Sequence, residues 1–257
     1  AEHLAHYGVT LKESGRVTDV VQGDLKTVSL ASGETINSRA LIIASGAKWK
    51  ELGVPGEKEN IGSGVAYCPH CDGPFYKDKD IAVVGGGNSG IEAAIDLAGI
   101  AKSVKVFEFL PDLKADEILV QRATEITNIT IETNVAVQSV QSESGKVTAL
   151  RYQDRSTNEE KDYSVSGIFV QIGLLPNSQF LQDLLELNPY GEVQVDSGCR
   201  TSESGIFACG DVTDVAYKQI VIAMGEGAKA ALSASEFLML QRDTDSVSAE
   251  AAAVAEP

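Results

Sequence analysis

Positive charge is scarce in this chain of 257 residues, which has 21 lysines and arginines against 37 aspartates and glutamates. The formal net charge of −16 at pH 7 repels polyanions, so nucleic acid and anionic lipid are not expected partners. Long apolar runs are also missing, since none approaches the roughly 18 residues that a membrane span needs. Residues 1–6 lack the basic segment that opens a secretory leader. We therefore predict a cytoplasmic protein that binds neither membrane nor nucleic acid.

Cysteine is equally rare, and four in the chain are too few for the disulfide framework of a secreted domain. Cys199 and Cys209 are ten residues apart, whereas Cys68 and Cys71 form a C-x-x-C pair. The pair allows three interpretations: a redox dithiol, half of a zinc site, or two inert buried thiols. A zinc site needs a second close pair of ligands, which Cys199 and Cys209 do not supply. The spacing favours a redox dithiol in a reducing compartment, without a metal.

A redox dithiol needs one exposed thiol that attacks and a second thiol that closes the disulfide. Asp72 directly follows the pair and could move a proton to or from the leaving thiolate. His70 lies between the cysteines, where it either activates a thiol or is an exposed loop residue. Cys68, Cys71 and Asp72 are the predicted catalytic residues.

A glycine-rich segment begins fourteen residues after Cys71. It follows an apolar run at residues 81–84, which predicts a buried strand, and it precedes helical spacing over residues 88–98. Residues 104–107 then predict a second strand. Such a strand–turn–helix–strand unit is the usual context of a dinucleotide-binding turn. The predicted cofactor-binding residues of this turn are Gly85, Gly87, Asn88, Ser89 and Gly90.

Each glycine has a separate physical role in such a turn. Gly85 permits the tight turn, Gly87 lets the backbone approach a pyrophosphate, and Gly90 allows close packing of helix on strand. The helix N-terminus then offers free N–H groups and partial positive charge to the phosphates. The alternative is a glycine-rich turn with a purely structural role.

Glu108 ends the second predicted strand, 18 residues beyond Gly90. A carboxylate about 20 residues after the turn is the usual acceptor for ribose hydroxyls. It repels a 2′-phosphate, for which an arginine would be expected nearby, and residues 109–113 contain none. The sequence therefore predicts NADH rather than NADPH as the reductant. In the alternative interpretation, Glu108 is a solvated strand end.

A dithiol and NADH do not usually exchange electrons directly, and a flavin normally lies between them. Two strand ends could bind one, at residues 44–46 and at residues 210–211, where the aspartate could accept hydrogen bonds from a polyol. A mostly apolar helix predicted over residues 220–240 could direct its positive end toward a reduced flavin. Each signal is weak alone, because Gly-Asp after a strand is also a common turn. The flavin-binding candidates are Ala44, Ser45, Gly46, Gly210, Asp211, Lys218, Gln219 and Ile220.

Together, five segments resemble the low-molecular-weight thioredoxin reductase family, in the branch of the alkyl hydroperoxide reductase flavoproteins and related NADH oxidases. They are CPHCDGP at 68–74, GGGNSGIEAA at 85–94, IFVQIGLLPN at 168–177, YKQI at 217–220 and GEGA at 225–228. The dipeptide between the cysteines favours this branch over plain thioredoxin reductases. The similarity extends from about residue 35 to residue 240.

The resemblance implies an α/β chain with a Rossmann-like three-layer fold for FAD and NAD(P), in which an NAD domain is inserted into an FAD domain. Residues 1–47 and 174–242 would belong to the FAD domain and residues 48–173 to the NAD domain, with a disordered tail at 243–257. Gly173, at the second junction, is counted among the cofactor-binding residues. The family's FAD domain begins with its own glycine fingerprint, whereas this sequence has one fingerprint, so it resembles a C-terminal fragment.

The resemblance also implies a role for each site. Cys71 would face the flavin, Cys68 would attack a partner disulfide, Asp72 would donate a proton, and Asp211 would bind the ribityl chain, with residues 219–220 at the flavin ring. Electrons would pass from NADH through FAD and the dithiol to a thioredoxin-like domain or protein that reduces a peroxiredoxin, within a homodimer. The alternatives are a plain thioredoxin reductase, an NADH oxidase that forms H2O2, and a fragment that binds NAD without FAD or turnover.

Overall fold

The computed structural model describes residue 4 and residues 6–254, and the chain divides into two compact units. We call residues 49–174 the central unit, and residues 1–48 together with 175–257 the outer unit. The boundaries predicted from the sequence fall after residues 47 and 173. No helix in the described part of the chain has the length and apolar character that crossing a bilayer requires.

The strands, numbered in chain order, are β1 Val17–Val21, β2 Lys26–Leu30, β3 Thr35–Ser38, β4 Leu41–Ile43, β5 Ala47–Trp49, β6 Val65–Ala66, β7 Asp80–Val84, β8 Ser103–Phe107, β9 Ile129–Glu132, β10 Val135–Glu143, β11 Lys146–Asp154, β12 Glu160–Ser164, β13 Gly167–Val170, β14 Leu174–Pro176 and β15 Ile206–Ala208. The helices are α1 Pro69–Asp72, α2 Asn88–Ala98, α3 Glu117–Glu125 and α4 Ile220–Val254. Short 3₁₀ turns lie at Lys58–Asn60, Gly73–Tyr76, Gln179–Leu181 and Gly210–Val212.

A five-stranded parallel sheet forms the middle layer of the central unit, in the order β6–β13–β7–β8–β9. Residues 81–84 of β7 and all of β13 are apolar or glycine and buried, as expected where both faces of a parallel sheet are covered. β8 pairs with one edge of β7 and β13 with the other. The strand order therefore reverses between β7 and β13, the place where open α/β sheets bind ligands at the carboxyl ends of their strands.

Helices cover one face of this sheet and an antiparallel sheet covers the other. On α2, Ile91, Ala94 and Leu97 recur at helical spacing and pack with α3 against β7, β8 and β13. Leu150 and Tyr152, in the antiparallel sheet β10–β11–β12, pack against the opposite face. The Rossmann-like three-layer fold predicted from the sequence is confirmed in this unit.

The outer unit contains the antiparallel sheet β1–β2–β3 and the parallel pair β4–β15. Ile43 and Ala208, at the carboxyl ends of β4 and β15, are buried and lie opposite each other in register. Ala230 and Ala234 on α4 are buried in the apolar cluster that includes β15. The small side chains let the helix pack closely on this strand pair.

Helix α4 begins at Ile220, where the sequence predicts a helix start, and runs to Val254 rather than ending near residue 240. Its last part coincides with residues 243–254, for which the composition predicts a disordered tail. Alanine and glutamate in this segment are strong helix formers, in accord with its helical backbone. Residues 255–257 of the predicted tail lie outside the described residues.

Candidate functional site

The two cysteines of the C-x-x-C pair lie at the ends of the one-turn helix α1. Cys68 is the N-cap residue and Pro69 the first helical residue, a position where the missing N–H of proline costs nothing. Cys71 N donates a hydrogen bond to Cys68 Sγ at 3.2 Å, and the two sulfurs are joined in a disulfide with 5.3 Å between the Cα atoms. Sulfurs joined in a disulfide are not thiolate ligands, so the pair is not half of a zinc site.

The third predicted catalytic residue, Asp72, lies beside this disulfide. Cys68 and Asp72 are half-buried and Cys71 is exposed. Burial raises the pKa of Tyr76, and the charge of Asp72 raises it further, so the carboxylate and this phenol are near neighbours. The structure thus brings the three predicted residues together. The exposure of the sulfurs does not select the attacking thiol, and the separate roles of Cys68 and Cys71 stay predictions.

A buried carboxylate that the sequence analysis missed holds the backbone ahead of the dithiol. Glu57 has no exposed surface, and it accepts hydrogen bonds from Leu52 N at 2.8 Å, from Gly53 N at 2.7 Å and from the Tyr67 hydroxyl at 2.9 Å. From the other side, Gln171 Nε2 donates to the carbonyl oxygen of Tyr67 at 2.8 Å. The residue that precedes Cys68 is therefore fixed at both its side chain and its backbone.

Helix α1 lies against α2, the helix that begins at the glycine-rich turn. A Cβ atom on Gly73 would lie 2.9 Å from Leu97 Cδ2, so glycine lets the two helices approach. His70 Nδ1 lies 3.7 Å from Asp96 Oδ2, and both side chains are mostly exposed, so this pair adds little stability. The close packing ties the position of the dithiol to that of the turn.

The glycine-rich turn has two positions at which a side chain would collide with backbone atoms, one (Gly86) at which it would collide with the side chains of Leu113 and Glu108, and one that leaves space. A Cβ atom would lie 2.3 Å from Gln171 O at Gly85, where φ is +125°, and 1.9 Å from Gly85 O at Gly90. At Gly87, by contrast, a Cβ atom would meet nothing within 4 Å. No described protein atom lies within contact distance on the open side of Gly87. Gly87 is also the N-cap residue of α2, so this open side adjoins the helix N-terminus. This geometry fits a pyrophosphate, whose oxygens would accept hydrogen bonds from the free N–H groups.

Two polar residues stand at the start of α2, and they differ in their partners. Asn88 Oδ1 accepts a hydrogen bond from Asp116 N at 2.8 Å, and Asn88 Nδ2 donates to Asp116 Oδ2 at 3.0 Å. Asn88 therefore links the turn to the start of α3. Ser89 is exposed at the helix N-terminus.

Gly173 lies in the same unit, and its carbonyl accepts a hydrogen bond from Lys50 N at 2.9 Å.

Glu108 is buried, with 9% of its surface exposed, which excludes the interpretation of a solvated strand end. Its Oε2 accepts a hydrogen bond from Gly86 N, and its Oε1 accepts one from Leu110 N at 2.8 Å. Each carboxylate oxygen can accept a second hydrogen bond, so the group still has acceptor capacity for ribose hydroxyls. The bond to Gly86 also fixes the carboxylate against the turn.

The segments predicted to bind a flavin lie at one edge of the outer unit's parallel pair. Residues 44–46 follow β4 and residues 210–211 follow β15, and parallel strands bring their carboxyl ends to the same side. Ser45 Oγ donates to Asn177 O at 2.8 Å, and Asn177 Nδ2 donates to Ser45 O at 2.8 Å. Asp211 is half-buried in the 3₁₀ turn, after Gly210 with φ of +73°. These predicted residues are therefore brought together.

The start of α4 shows three different environments. Lys218 Nζ pairs with Glu192 Oε1 at 3.0 Å and donates to Thr213 O, so its charge is already neutralised within the protein. Gln219 O accepts the hydrogen bond of Ala223 N at 2.9 Å and begins the helix. Ile220 is 82% exposed. Ile220 is open to solvent and Gln219 is half-buried, whereas Lys218 pairs with Glu192, a partner that the sequence pattern did not indicate.

The remaining thiols are structural rather than reactive. Cys199 and Cys209 are buried in the outer unit, and Cys199 Sγ lies 3.1 Å from Glu226 Oε2. Burial raises the pKa of Cys199 to about 12, with a further contribution from Glu226, and burial also raises the pKa of Cys209. A thiol that stays protonated is a poor nucleophile. No group of three or more potential metal ligands occurs within the described ranges.

Comparisons with known proteins place this geometry in a family. The profile described as pyridine nucleotide-disulphide oxidoreductase matches residues 2–227. The chain is 49% identical over 241 residues to the F subunit of alkyl hydroperoxide reductase of Pseudomonas putida, and 47% identical over 238 residues to "NADH dehydrogenase" of Ferdinandcohnia aciditolerans. These alignments cover 93% of this chain and 46% of each relative, so the chain spans about half the length of the curated relatives it matches.

A solved structure shows the same relationship in three dimensions. Thioredoxin reductase from Streptococcus pyogenes superimposes with a TM-score of 0.87 at 35% identity, and the match covers 93% of this chain and 78% of that one. The profile covers most of the chain, including the dithiol and the glycine-rich turn, and the match to this structure also covers most of the chain. The chain belongs to the pyridine nucleotide-disulphide oxidoreductase family.

Proposed function

We propose that this chain is the NADH- and FAD-dependent catalytic part of a disulfide reductase that supplies electrons for peroxide detoxification. The observation that carries the proposal is the position of Gln171, which directly follows β13. Its carbonyl oxygen lies against Gly85 of the turn, and its side chain bonds the backbone of Tyr67, next to Cys68. In this proposal, a two-electron sulfur couple and a site for a two-electron hydride carrier would share one end of the sheet.

The central unit would hold the nicotinamide nucleotide. Residues 85–90 would cradle the pyrophosphate, with Ser89 at the helix start, and Glu108 would accept hydrogen bonds from the ribose hydroxyls. A fixed carboxylate repels a 2′-phosphate, so NADH is the preferred reductant. Equal values of kcat/KM for NADH and NADPH would contradict this preference.

The outer unit fits the ribityl and flavin half of FAD. Asp211 would accept hydrogen bonds from the ribityl hydroxyls, and residues 44–46 and 219–220 would contact the ring system. When bound, FAD supplies the carrier that accepts a hydride from NADH and passes two electrons to the disulfide. Lys218 would lie at the same loop, paired with Glu192.

The dithiol would complete the transfer by thiol–disulfide exchange. The thiolate of reduced Cys68 attacks a partner disulfide, which forms a mixed disulfide and expels one partner thiolate, and Asp72 supplies the proton. Cys71 then attacks Cys68 Sγ, which releases the second partner thiol and restores the Cys68–Cys71 disulfide. The two electrons leave with the partner dithiol, and NADH replaces them for the next cycle.

The partner we propose is a thioredoxin-like domain or protein that in turn reduces a peroxiredoxin. Support comes from the 49% identity with proteins named as the F subunit of alkyl hydroperoxide reductase. The working assembly would be a homodimer in the cytoplasm, a compartment in which free thiols such as Cys199 and Cys209 stay reduced. A second candidate, an NADH oxidase that passes electrons from flavin to oxygen, is favoured by the relative named NADH dehydrogenase.

The test combines spectroscopy with a thiol variant. The purified chain supplied with FAD should show flavin absorbance that bleaches on addition of NADH and should reduce a chromogenic aromatic disulfide. Cys68→Ser should abolish disulfide reduction and spare NADH-dependent oxygen consumption, whereas the buried-site control Cys199→Ser should change neither. A chain that binds NADH but gains no flavin colour would support a fragment without turnover. Disulfide reduction that survives in Cys68→Ser and disappears in Cys71→Ser would reverse the two thiol roles.

A further inference from the structure

A cleft of about 380 Å³ opens in the outer unit, at the amino end of β15. Residues 200–207 line it together with one side of α4, which includes Phe237. Phe207 and Phe237 form an edge-to-face pair in this lining, with 6.1 Å between the ring centroids. The segments proposed to bind the flavin follow the opposite, carboxyl ends of β4 and β15. The cleft is therefore a separate feature of this unit, and its lining offers an aromatic surface to a small ligand.

A buried lysine stands at the wall of this cleft. Lys26, on β2, has only 3% of its surface exposed. A Cβ atom on Gly205 would lie 2.8 Å from Lys26 Nζ and 2.7 Å from the Phe237 ring, so glycine is what allows the ammonium this close to the lining. Lys26 Nζ also lies 5.5 Å from the centroid of the Phe237 ring. Two of the residues that line the cleft thus adjoin the ammonium.

The ammonium of Lys26 has no anionic partner among the described residues. The face of Phe237 attracts a cation but carries no net charge. Arg200 and Glu236, which line the cleft, pair with each other at 2.8 Å, and Glu203 lines it without an ion pair to Lys26. A buried charge is costly unless an ion of opposite sign compensates it. Because the fold has already removed this ammonium from water, an anionic ligand that reaches it gains a strong hydrogen bond.

We propose that this cleft binds a small aromatic monocarboxylate. The ring of the ligand packs beside Phe207 and Phe237, and its carboxylate accepts a hydrogen bond from Lys26 Nζ. A single negative charge suits the site, because Glu203 and Glu236 also line the cleft and would repel a doubly charged phosphate group. The site does not depend on the proposed function, since it shares no residue with the nucleotide, flavin or dithiol sites.

The experiment compares benzoate with benzamide, a neutral molecule of nearly the same shape, by titration calorimetry and thermal unfolding of the purified chain. Benzoate should bind and raise the melting temperature, whereas benzamide should bind about tenfold more weakly or worse, because it carries no charge to pair with an ammonium. Lys26→Met keeps the length of the side chain without its charge and should reduce the benzoate affinity to that of benzamide. Without ligand, this variant should melt no lower than the unsubstituted chain, because an unpaired buried charge has been removed. Sodium chloride at the same concentration controls for ionic strength.

Two further variants separate the charge of the site from its volume. Ser233 is buried in the lining of the cleft, and Ser233→Leu should weaken the binding of both probes while Lys26 stays in place. Lys12→Met is the matched control, because Lys12 belongs to the same unit but pairs with Glu34, and its response to benzoate should be unchanged.

Four results would overturn the proposal. The first is a failure of benzoate to bind the unsubstituted chain, and the second is equal affinity for benzoate and benzamide. The third is benzoate binding that survives in Lys26→Met or in Ser233→Leu, which would place the ligand elsewhere on the protein. The fourth is a lower melting temperature of ligand-free Lys26→Met, which would show that the ammonium is already compensated within the fold.

Discussion

One phenol–carboxylate hydrogen bond fixes the backbone that leads into the redox disulfide. The Tyr67 hydroxyl donates to Glu57, a fully buried carboxylate whose other acceptor bonds come from backbone N–H groups. Burial, with the hydrogen bond and charge of Glu57, raises the pKa of Tyr67, so the phenol remains a donor at physiological pH. A buried carboxylate that loses such a donor is left partly unsatisfied, and this is costly in a low-dielectric interior.

Tyr67→Phe removes that donor and keeps the shape of the side chain. We expect the free energy of unfolding to fall by about 1–2 kcal/mol, as for other hydrogen bonds to buried charged groups. Urea unfolding followed by circular dichroism measures the change. Tyr190→Phe is the control, because Tyr190 is 81% exposed and its loss of a hydroxyl should be neutral. If the two variants unfolded at the same urea concentration, the bond to Glu57 would contribute nothing.

Cys199 makes the free energy of unfolding depend on pH in the alkaline range. Its pKa rises from 9.0 to about 12 in the folded state, mainly through burial. Between these values the unfolded chain has lost the thiol proton and the folded chain retains it. The folded state therefore binds more protons in this window, and its stability falls as pH rises from about 9 toward about 12.

Cys199→Ala should remove this contribution. Relative to the unsubstituted chain, the decline in unfolding free energy between about pH 9 and pH 11 should be roughly 2 kcal/mol smaller. Urea titrations at each pH measure it, and the difference at pH 7 isolates the part that comes from lost packing. Identical slopes in the two proteins would show that the thiol ionises as readily in the fold as in the unfolded chain.

At the scale of elements, the turn between β7 and α2 contains one glycine that the packing of the fold requires and another that has space for a ligand. Gly90 cannot carry a side chain, because its Cβ would lie 1.9 Å from a backbone oxygen. Gly87 has open space and a φ of −85°, which any residue can adopt. Two glycines of one motif should therefore respond differently to the same substitution.

Gly90→Ala should lower the melting temperature by several degrees, since the helix must shift away from the strand. Gly87→Ala should leave the melting temperature within about a degree and weaken NADH binding about tenfold or more, because the methyl group occupies the side open to a pyrophosphate. Thermal unfolding and fluorescence titration with NADH measure the two effects. Unchanged NADH affinity in Gly87→Ala would show that the nucleotide does not approach this face of the turn.

The same element shows what a sequence can reveal. The unit β7–turn–α2–β8 was predictable because each signal is local: an apolar run, three spaced glycines and helical periodicity. The positions of Gly85, Gly90 and Glu108 relative to one another follow from that unit. The hydrogen bond from Arg155 to the carbonyl oxygen of Phe109 was not predictable, because the residues are 46 positions apart and no periodicity relates them. Glu57 was missed for a related reason, since nothing in the sequence marks a carboxylate as fully buried.

Lys218 shows a contact that the local pattern did not indicate. Its position before an apolar helix predicts a flavin contact, which stays a prediction, and the structure adds an ion pair with Glu192, 26 residues earlier. Ion pairs between distant segments depend on the fold that brings them together. Sequence reasoning therefore indicated which segments meet at this edge, but not which of their side chains pair with distant residues.

At the scale of the whole molecule, the net charge of −16 determines which small disulfides approach the reduced dithiol most readily. The field of an acidic protein concentrates cations near its surface and repels anions, and salt screens both effects. Asp72 directly follows the dithiol and His70 lies between its cysteines and faces Asp96, so these adjacent residues do not reverse the sign of the net charge.

Compared with a small neutral thiol, which corrects for the different leaving groups, the chain reduced with dithiothreitol and then desalted should therefore favour cystamine, a dication, over an anionic aliphatic disulfide. Raising the ionic strength from about 0.01 M to about 0.5 M shortens the screening length several-fold, so the cystamine rate should fall and the anionic rate should rise. Stopped-flow measurement against neutral 2-hydroxyethyl disulfide supplies the control, whose rate should not depend on salt. If all three rates changed in parallel, salt would be acting on the protein rather than on the encounter. Opposite changes would indicate that a protein partner of this dithiol gains from a basic surface around its own disulfide.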